Sequence, residues 1–358
     1  MDQDVEIDKK ESMSMKWGIF CLFERFNEDA HDAIENQLKL IELVDAMRFD
    51  EVWIGEHHFN DFSICPSPSL LLAYASARTK YVRLGCAGYL APFYDAIRLA
   101  EEVSMLDILS NGRMNLGFAK GAFAPDSKHF NVTVENLRPM MFECADAVHQ
   151  LLHVKNKPVS FQGESFSFSQ VDIEPKPIQS TIPTYIATFA SDETITFAAK
   201  RGFGLMLSQG VDLDECERVS KAYEAIAGFA PSIVLLRTFY VADCHTSACL
   251  KARPVIDHFA KSMRAASSFN KSPHFNRARY EKLIGERNTF FDGQKFFDCG
   301  IIGDAKTCIE KIKAIQARLS NVTITLKPLG ADLLENVTLL RAFNETVRPY
   351  CEETKELV

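Results

Sequence analysis

Residues 16–54 read KWGIFCLFERFNEDAHDAIENQLKLIELVDAMRFDEVWI, and this stretch decides the fold. It opens on a short β-type run, Trp17 to Leu22, and closes on a second, Glu51 to Ile54. Between them Ile34, Leu38, Ile41 and Val44 recur at spacings of four, three and three, with Leu40, Leu43 and Met47 widening the stripe. That period is an amphipathic helix. A strand, a helix and a strand in succession imply parallel pairing through a right-handed crossover. The turn leaving the first strand, Phe23-Glu-Arg-Phe-Asn-Glu28, has no glycine. A doubly wound open sheet would usually carry a Gly-rich phosphate loop there.

The same unit recurs toward the C-terminus. Further β-type runs are Val82 to Tyr89, Met114 to Gly117, Pro183 to Ala187, Gly204 to Leu207, Ile233 to Val241 and Asn321 to Leu326, which makes eight. Helical patterns cover 67–78, 95–110, 134–155, 191–201, 213–228, 247–266, 304–318 and 332–348. Eight strand–helix units predict an α/β protein of the closed (β/α)8 barrel type. A chain of 358 residues fits one such barrel with some length to spare. The spare length has three predicted places. Residues 1–14 are polar and read as a disordered tail, leaving 15–358 as a single domain. Residues 158–182 alternate apolar and polar around Gln162-Gly163, a β-hairpin between the fourth helix and the fifth strand, on the N-terminal face. Residues 243–303 follow the seventh strand, with a polar middle at Ser267-Ser-Phe-Asn-Lys-Ser-Pro273 and from Asn288 to Lys295, and read as a lid over the C-terminal face.

Composition removes several function classes. Forty Lys plus Arg against 48 Asp plus Glu leave a net charge of −8, without the basic stripe a nucleic-acid binder needs. No run approaches the ~18 consecutive apolar residues of a membrane helix, and MDQDVEIDKKESMSM carries no signal-peptide core, so a cytoplasmic protein is expected. The 10 cysteines are scattered without any C-x-x-C, several within apolar runs, which suits a reducing compartment rather than a disulfide framework.

Reactive groups in such barrels cluster where strands end at the C-terminal face. The second strand ends in Ile54-Gly-Glu-His-His-Phe59. Glu56, His57 and His58 there can act as general acid or base near neutral pH, the range in which an ordinary imidazole titrates, or the two histidines are a hydrogen-bonded pair packing the loop. A metal set of Glu56, His57, His58 and Asp61 is disfavoured, because adjacent residues on an extended segment point to opposite faces. His149 and His153 stand four apart on a helix but lack the glutamate of an H-E-x-x-H site, so no metal is expected. The fifth strand runs into Ala187-Thr-Phe-Ala-Ser191, where a helix opens with Thr194 one turn on. A hydroxyl-bearing helix N-terminus is an anion site or a plain cap, and Asp192 and Glu193 in the first turn suit the cap. Spacing alone leaves both open.

Five segments in register resemble the bacterial luciferase-like flavin monooxygenase family, from Lys16 to about Pro349. They are Lys16-Trp-Gly-Ile-Phe20; Phe49 through Glu56-His57-His58-Phe59; Leu99-Ala-Glu-Glu-Val-Ser-Met-Leu-Asp107 through Ser110-Asn-Gly-Arg-Met-Asn-Leu-Gly117; Asp172-Ile-Glu-Pro-Lys-Pro-Ile-Gln179; and Ile182-Pro-Thr-Tyr-Ile-Ala187. The resemblance implies a barrel that takes reduced FMN from a separate flavin reductase, activates O2 and oxidises a small apolar, aldehyde-like substrate. It further implies that His57 is catalytic and that Glu56 lines its pocket. Lys120, Arg138, Ser191 and Thr194 match the positions that hold the flavin phosphate. Ala87 and Gly88 match the place of a non-prolyl cis peptide beside the flavin ring. Subunits of the family pair through early helices, so a homodimer is expected. Three positions depart from the family pattern: Ala119 replaces a reactive cysteine, Lys120 replaces an arginine and loses its bidentate fork, and residues 267–303 match nothing clearly. A deazaflavin-dependent oxidoreductase and a non-catalytic flavin-binding partner subunit are the competing implications of the same resemblance.

Overall fold

The computed structural model describes residues 15–26, 28–59, 61–121, 123–267 and 291–352. Eight strands close a parallel barrel: β1 Lys16–Cys21, β2 Glu51–Ile54, β3 Arg83–Cys86, β4 Met114–Ala119, β5 Thr184–Thr188, β6 Gly204–Leu207, β7 Ile233–Val241 and β8 Val322–Pro328. Each pairs with the next in sequence, and β8 returns to β1 with Lys16 opposite Thr323. The helices outside are α1 Ala30–Ala46, α2 Pro68–Arg78, α3 Ala96–Leu109, α4 Leu137–His153, α5 Asp192–Arg201, α6 Leu213–Ala227, α7 His245–Ser267, α8 Ala305–Arg318 and α9 Leu333–Ala342. The (β/α)8 barrel read from the periodicity is therefore the observed fold.

Local chemistry explains where the helices begin. Asp29, Asp95, Asp212, Asp304 and Asp332 precede α1, α3, α6, α8 and α9, and each carboxylate accepts the N–H three residues on, from Asp32, Arg98, Glu215, Thr307 and Glu335. Such a cap is worth about 1 kcal/mol. Alternation along the strands then divides the core. Outward-facing Ile19, Ile54, Leu84, Leu116, Ile186, Leu205, Leu235 and Ile324 are buried against the helices. Inside the barrel Trp53, Tyr185, Met206 and Val234 form a plug, with Trp53 and Tyr185 edge to face at 5.3 Å. Gly85 makes room for that plug: a Cβ there would come within 2.6 Å of the Trp53 ring. The first strand is also tied to the last helical turn, where Trp17 Nε1 donates to Glu352 Oε1 at 2.7 Å.

Three details differ from the sequence expectation. The β-type run from Val82 to Tyr89 is broken: β3 stops at Cys86, Ala87–Gly88 is a cis peptide, and Tyr89–Leu90 pairs separately with Phe118 and Ala119 of β4. The hairpin is present as Val159–Gln162 against Ser167–Val171, but its link is four residues, Gly163–Phe166, rather than a turn at Gln162-Gly163. Glu143 of α4 explains the longer link, since its carboxylate accepts the N–H groups of Glu164, Ser165 and Phe166. Within the segment expected as a lid, α7 is a 23-residue helix and Ile301–Gly303 adds a short strand beside Phe239–Val241 of β7. Residues 1–14 and the polar middle of that segment, 268–290, lie outside the described residues. Among the described residues, no helix is long and apolar enough to cross a membrane.

Candidate active site

A cavity of about 300 Å3 opens at the C-terminal end of the barrel. Its floor is the interior plug, Trp53, Met206 and Val234, and α7 contributes Phe259 and Met263. All eight residues singled out in the sequence line it: Glu56, His57, Ala87, Gly88, Lys120, Arg138, Ser191 and Thr194. Four separate strand ends bring them together, because β2, β3, β4 and β5 deliver consecutive walls of one mouth.

Glu56 and His57 leave β2 in opposite directions, so each acquires its own partners. Glu56 is buried, with Oε2 accepting from the Leu90 N–H at 3.0 Å and the Tyr94 hydroxyl at 3.0 Å. Its Oε1 lies 2.8 Å from His58 Nε2. His57 turns instead to Ser63, Nδ1 to Oγ 2.9 Å, and stacks on Phe123 at 5.0 Å. The Ser63 hydroxyl donates its one hydrogen to the Leu22 carbonyl at 2.7 Å. It can therefore only accept from His57, which fixes the neutral Nδ1–H tautomer and leaves Nε2 with the lone pair. Burial pushes His57 down to about 4, with His58 adding a smaller push in the same direction. The expectation of an imidazole titrating near neutrality is corrected accordingly: at pH 7 His57 is a neutral acceptor.

The opposite wall is cationic and rich in donors. Arg138 comes from α4 and reaches the head of α5, where Nη1 donates to Glu193 Oε2 at 2.7 Å. Its Nε is buried and has no hydrogen-bond partner in the described structure. Ser191 heads α5 but, unlike the five aspartates, makes no side-chain cap bond. Thr194, one turn on, is buried. Between the two walls, Gly88 comes so close to β4 that a Cβ would lie 2.8 Å from the Gly117 and Phe118 backbone. Bare backbone thus borders the cavity there.

Three buried polar groups in the cavity had no sequence signal: Asp126, Gln209 and Thr325, whose Oγ1 has no partner among the described residues. Asp126, on the short helix Ala124–His129, is 1% exposed and neither carboxyl oxygen has a hydrogen-bond partner among the described residues. Burial, reinforced by Glu56 and opposed by His58, pushes its carboxyl up to about 7. Gln209, just past β6, also holds a buried Oε1 without a partner. In sequence, Pro125-Asp126 is indistinguishable from any helix start with an acid in its first turn.

Comparison with known proteins agrees with this architecture. Residues 15–321 match the family described as luciferase-like monooxygenase. The oxygenase component of a flavin-dependent trigonelline monooxygenase from Acinetobacter baylyi is 26% identical over 85% of this chain and 86% of its own. An alkanal monooxygenase alpha chain from the Kryptophanaron alfredi symbiont is 26% identical over 95% of this chain and 99% of its own. Among solved structures, a monooxygenase from Streptomyces bottropensis superimposes with a TM-score of 0.80 at 24% identity, covering 94% of this chain and 99% of that one.

Proposed function

The chain belongs to the luciferase-like monooxygenase family, and from that premise we propose that it is an oxygenase component that takes reduced FMN from a separate flavin reductase and uses O2 to oxidise a small apolar, aldehyde-like molecule. The observation that carries this is a single apolar cavity with an acceptor histidine on one wall and cationic, hydroxyl-bearing groups on the other. The residues present fit a flavin mononucleotide. The orphaned Arg138 Nε, the Ser191 and Thr194 hydroxyls and the first-turn N–H groups of α5 are donors suited to a dianionic phosphate, with Lys120 adding charge. The bare backbone at Ala87–Gly88 suits a flat ring system lying against it. Reduced flavin, when bound, supplies the electrons that activate O2. His57, neutral and fixed as its Nδ1–H tautomer, accepts a proton at Nε2. Glu56 keeps His58, Leu90 and Tyr94 in place behind it. Phe259 and Met263 of α7 cover the mouth and keep water from it.

The assembly is a homodimer in the same proposal, formed through α2 and α3, which expose Leu70, Tyr74, Met105 and Leu109. A reducing cytoplasm suits 10 free cysteines. Supplying the purified chain with enzymatically reduced FMN, a medium-chain aldehyde and 18O2 should place one labelled oxygen atom in the product. His57→Ala should slow that transfer by about 10²- to 10⁴-fold and leave FMN affinity unchanged. Binding of a deazaflavin in place of FMN, or label transfer only after a second subunit is added, would overturn the assignment in favour of hydride transfer or of a partner subunit respectively.

A further inference from the structure

Asp126 is the anomaly of the cavity. A buried carboxyl without a partner costs the fold stability and calls for an explanation that packing does not give. Both oxygens lack a bond among the described residues, although the residue lines the cavity and is 1% exposed. The charged neighbours acting on it are His58, which favours the carboxylate but is hydrogen-bonded to Glu56, and Glu56, which repels the carboxylate; burial outweighs His58. On its N-terminal side, Phe123 stacks on His57 and packs 6.2 Å from Phe291. Apolar surroundings and an adjacent carboxylate both favour the neutral acid. A neutral carboxyl owns one O–H donor, and no group in the described protein receives it.

We propose that Asp126 is a specificity-determining residue whose carboxylic-acid hydrogen bonds the oxygen of a substrate carbonyl, so that the cavity selects apolar aldehydes and ketones. This rests on the aldehyde-like substrate proposed above and deepens it, giving the carbonyl oxygen a defined partner on the wall occupied by Glu56. His57 is left to its own role. The acid form is present below about pH 7 and lost above it, because the carboxyl titrates at about 7.

The test is calorimetric titration of 2-decanone, a ketone that survives the measurement, into the full chain with and without FMN at pH 6 and pH 8.5. Wild-type affinity should fall about tenfold between the two, the loss of one hydrogen bond. Asp126→Asn keeps a donor that does not titrate, so its affinity should be the same at both pH values and within about threefold of wild type at pH 6. Asp126→Leu should be about tenfold weaker at pH 6 and equally insensitive to pH. Neither variant removes a bond from the fold, so both should melt no lower than wild type. Equal affinities in all three proteins, or wild-type binding that tightens with pH, would overturn the proposal. FMN affinity measured on the same samples separates the two levels. The expected ketone pattern without FMN binding sinks the flavin assignment alone, whereas FMN binding and oxygenation with flat ketone affinities sinks the role of Asp126 alone.

Discussion

Ser191 stands where α1, α3, α6, α8 and α9 carry an aspartate, and it leaves its hydroxyl without a cap bond. An aspartate there would satisfy the helix and repel an anion, whereas a serine keeps a donor for an incoming phosphate. Ser191→Ala should therefore weaken FMN about tenfold and leave riboflavin, which has no phosphate, unchanged in a fluorescence titration. Equal losses for both flavins would mean that the hydroxyl serves the ring or the fold. At this scale the sequence was legible only in part. Glu56, His57, Lys120, Arg138, Ser191 and Thr194 could be named from strand ends and resemblance, and they do share one cavity. What each side chain does there depends on neighbours distant in sequence. His57 is neutral because it is buried and carries its hydrogen on Nδ1 because Ser63 is bonded to Leu22, and no hydrogen-bond partner among the described residues reaches Asp126. Neither fact has a local signature.

Among the elements, α4 is the one whose sequence periodicity hides a chemical constraint. His149 and His153 stand one turn apart, their rings 4.2 Å apart. His153 donates Nδ1–H to the His149 carbonyl and accepts the Ile182 N–H at Nε2, 3.0 Å, so only its neutral form fits. Burial lowers both histidines, His149 to about 4. Since the folded-state values lie below the unfolded one, near 6.5, this stability is full above pH 6.5 and is lost as pH falls toward 4. Between pH 7 and pH 5 the loss at His149, discounted for its partial exposure, should be about 1 kcal/mol, read as a shift in the urea midpoint. His149→Leu should flatten that dependence, and an unchanged slope would assign the acid sensitivity elsewhere. Strands and helices were otherwise legible almost to the residue, as in β2, β6 and β7, because each alternates or repeats with its own period. Three exceptions came from long-range partners, Glu143 lengthening the hairpin link, β4 capturing Tyr89–Leu90 and β7 recruiting Ile301–Gly303, and the short helices Ala124–His129 and Gly293–Asp298 had no periodicity to read.

For the whole molecule, eightfold repetition made the barrel legible where any single unit would have been ambiguous. The proposed association is legible only through resemblance, since an exposed Leu70 or Leu109 looks like any other helix position until the fold packs α2 against α3. Large apolar patches on a soluble protein mark association surfaces. Leu109→Glu should convert the dimer to a monomer in sedimentation, with flavin affinity retained, and a wild-type chain sedimenting as a monomer would remove the dimer from the proposal. The ion pair between Arg138 and Glu193 has a consequence of another kind. Glu193 is 60% exposed, so the pair is worth no more than about 1 kcal/mol. A phosphate arriving at Arg138 trades places with a tethered carboxylate, and a departing one is replaced by the same group. On the proposed function, loading and release become an anion exchange with an attached competitor, which trims residence time as well as affinity. That would suit the proposed oxygenase component, handed a fresh flavin for every turnover, for which a cofactor held too long would be as disabling as one held too weakly.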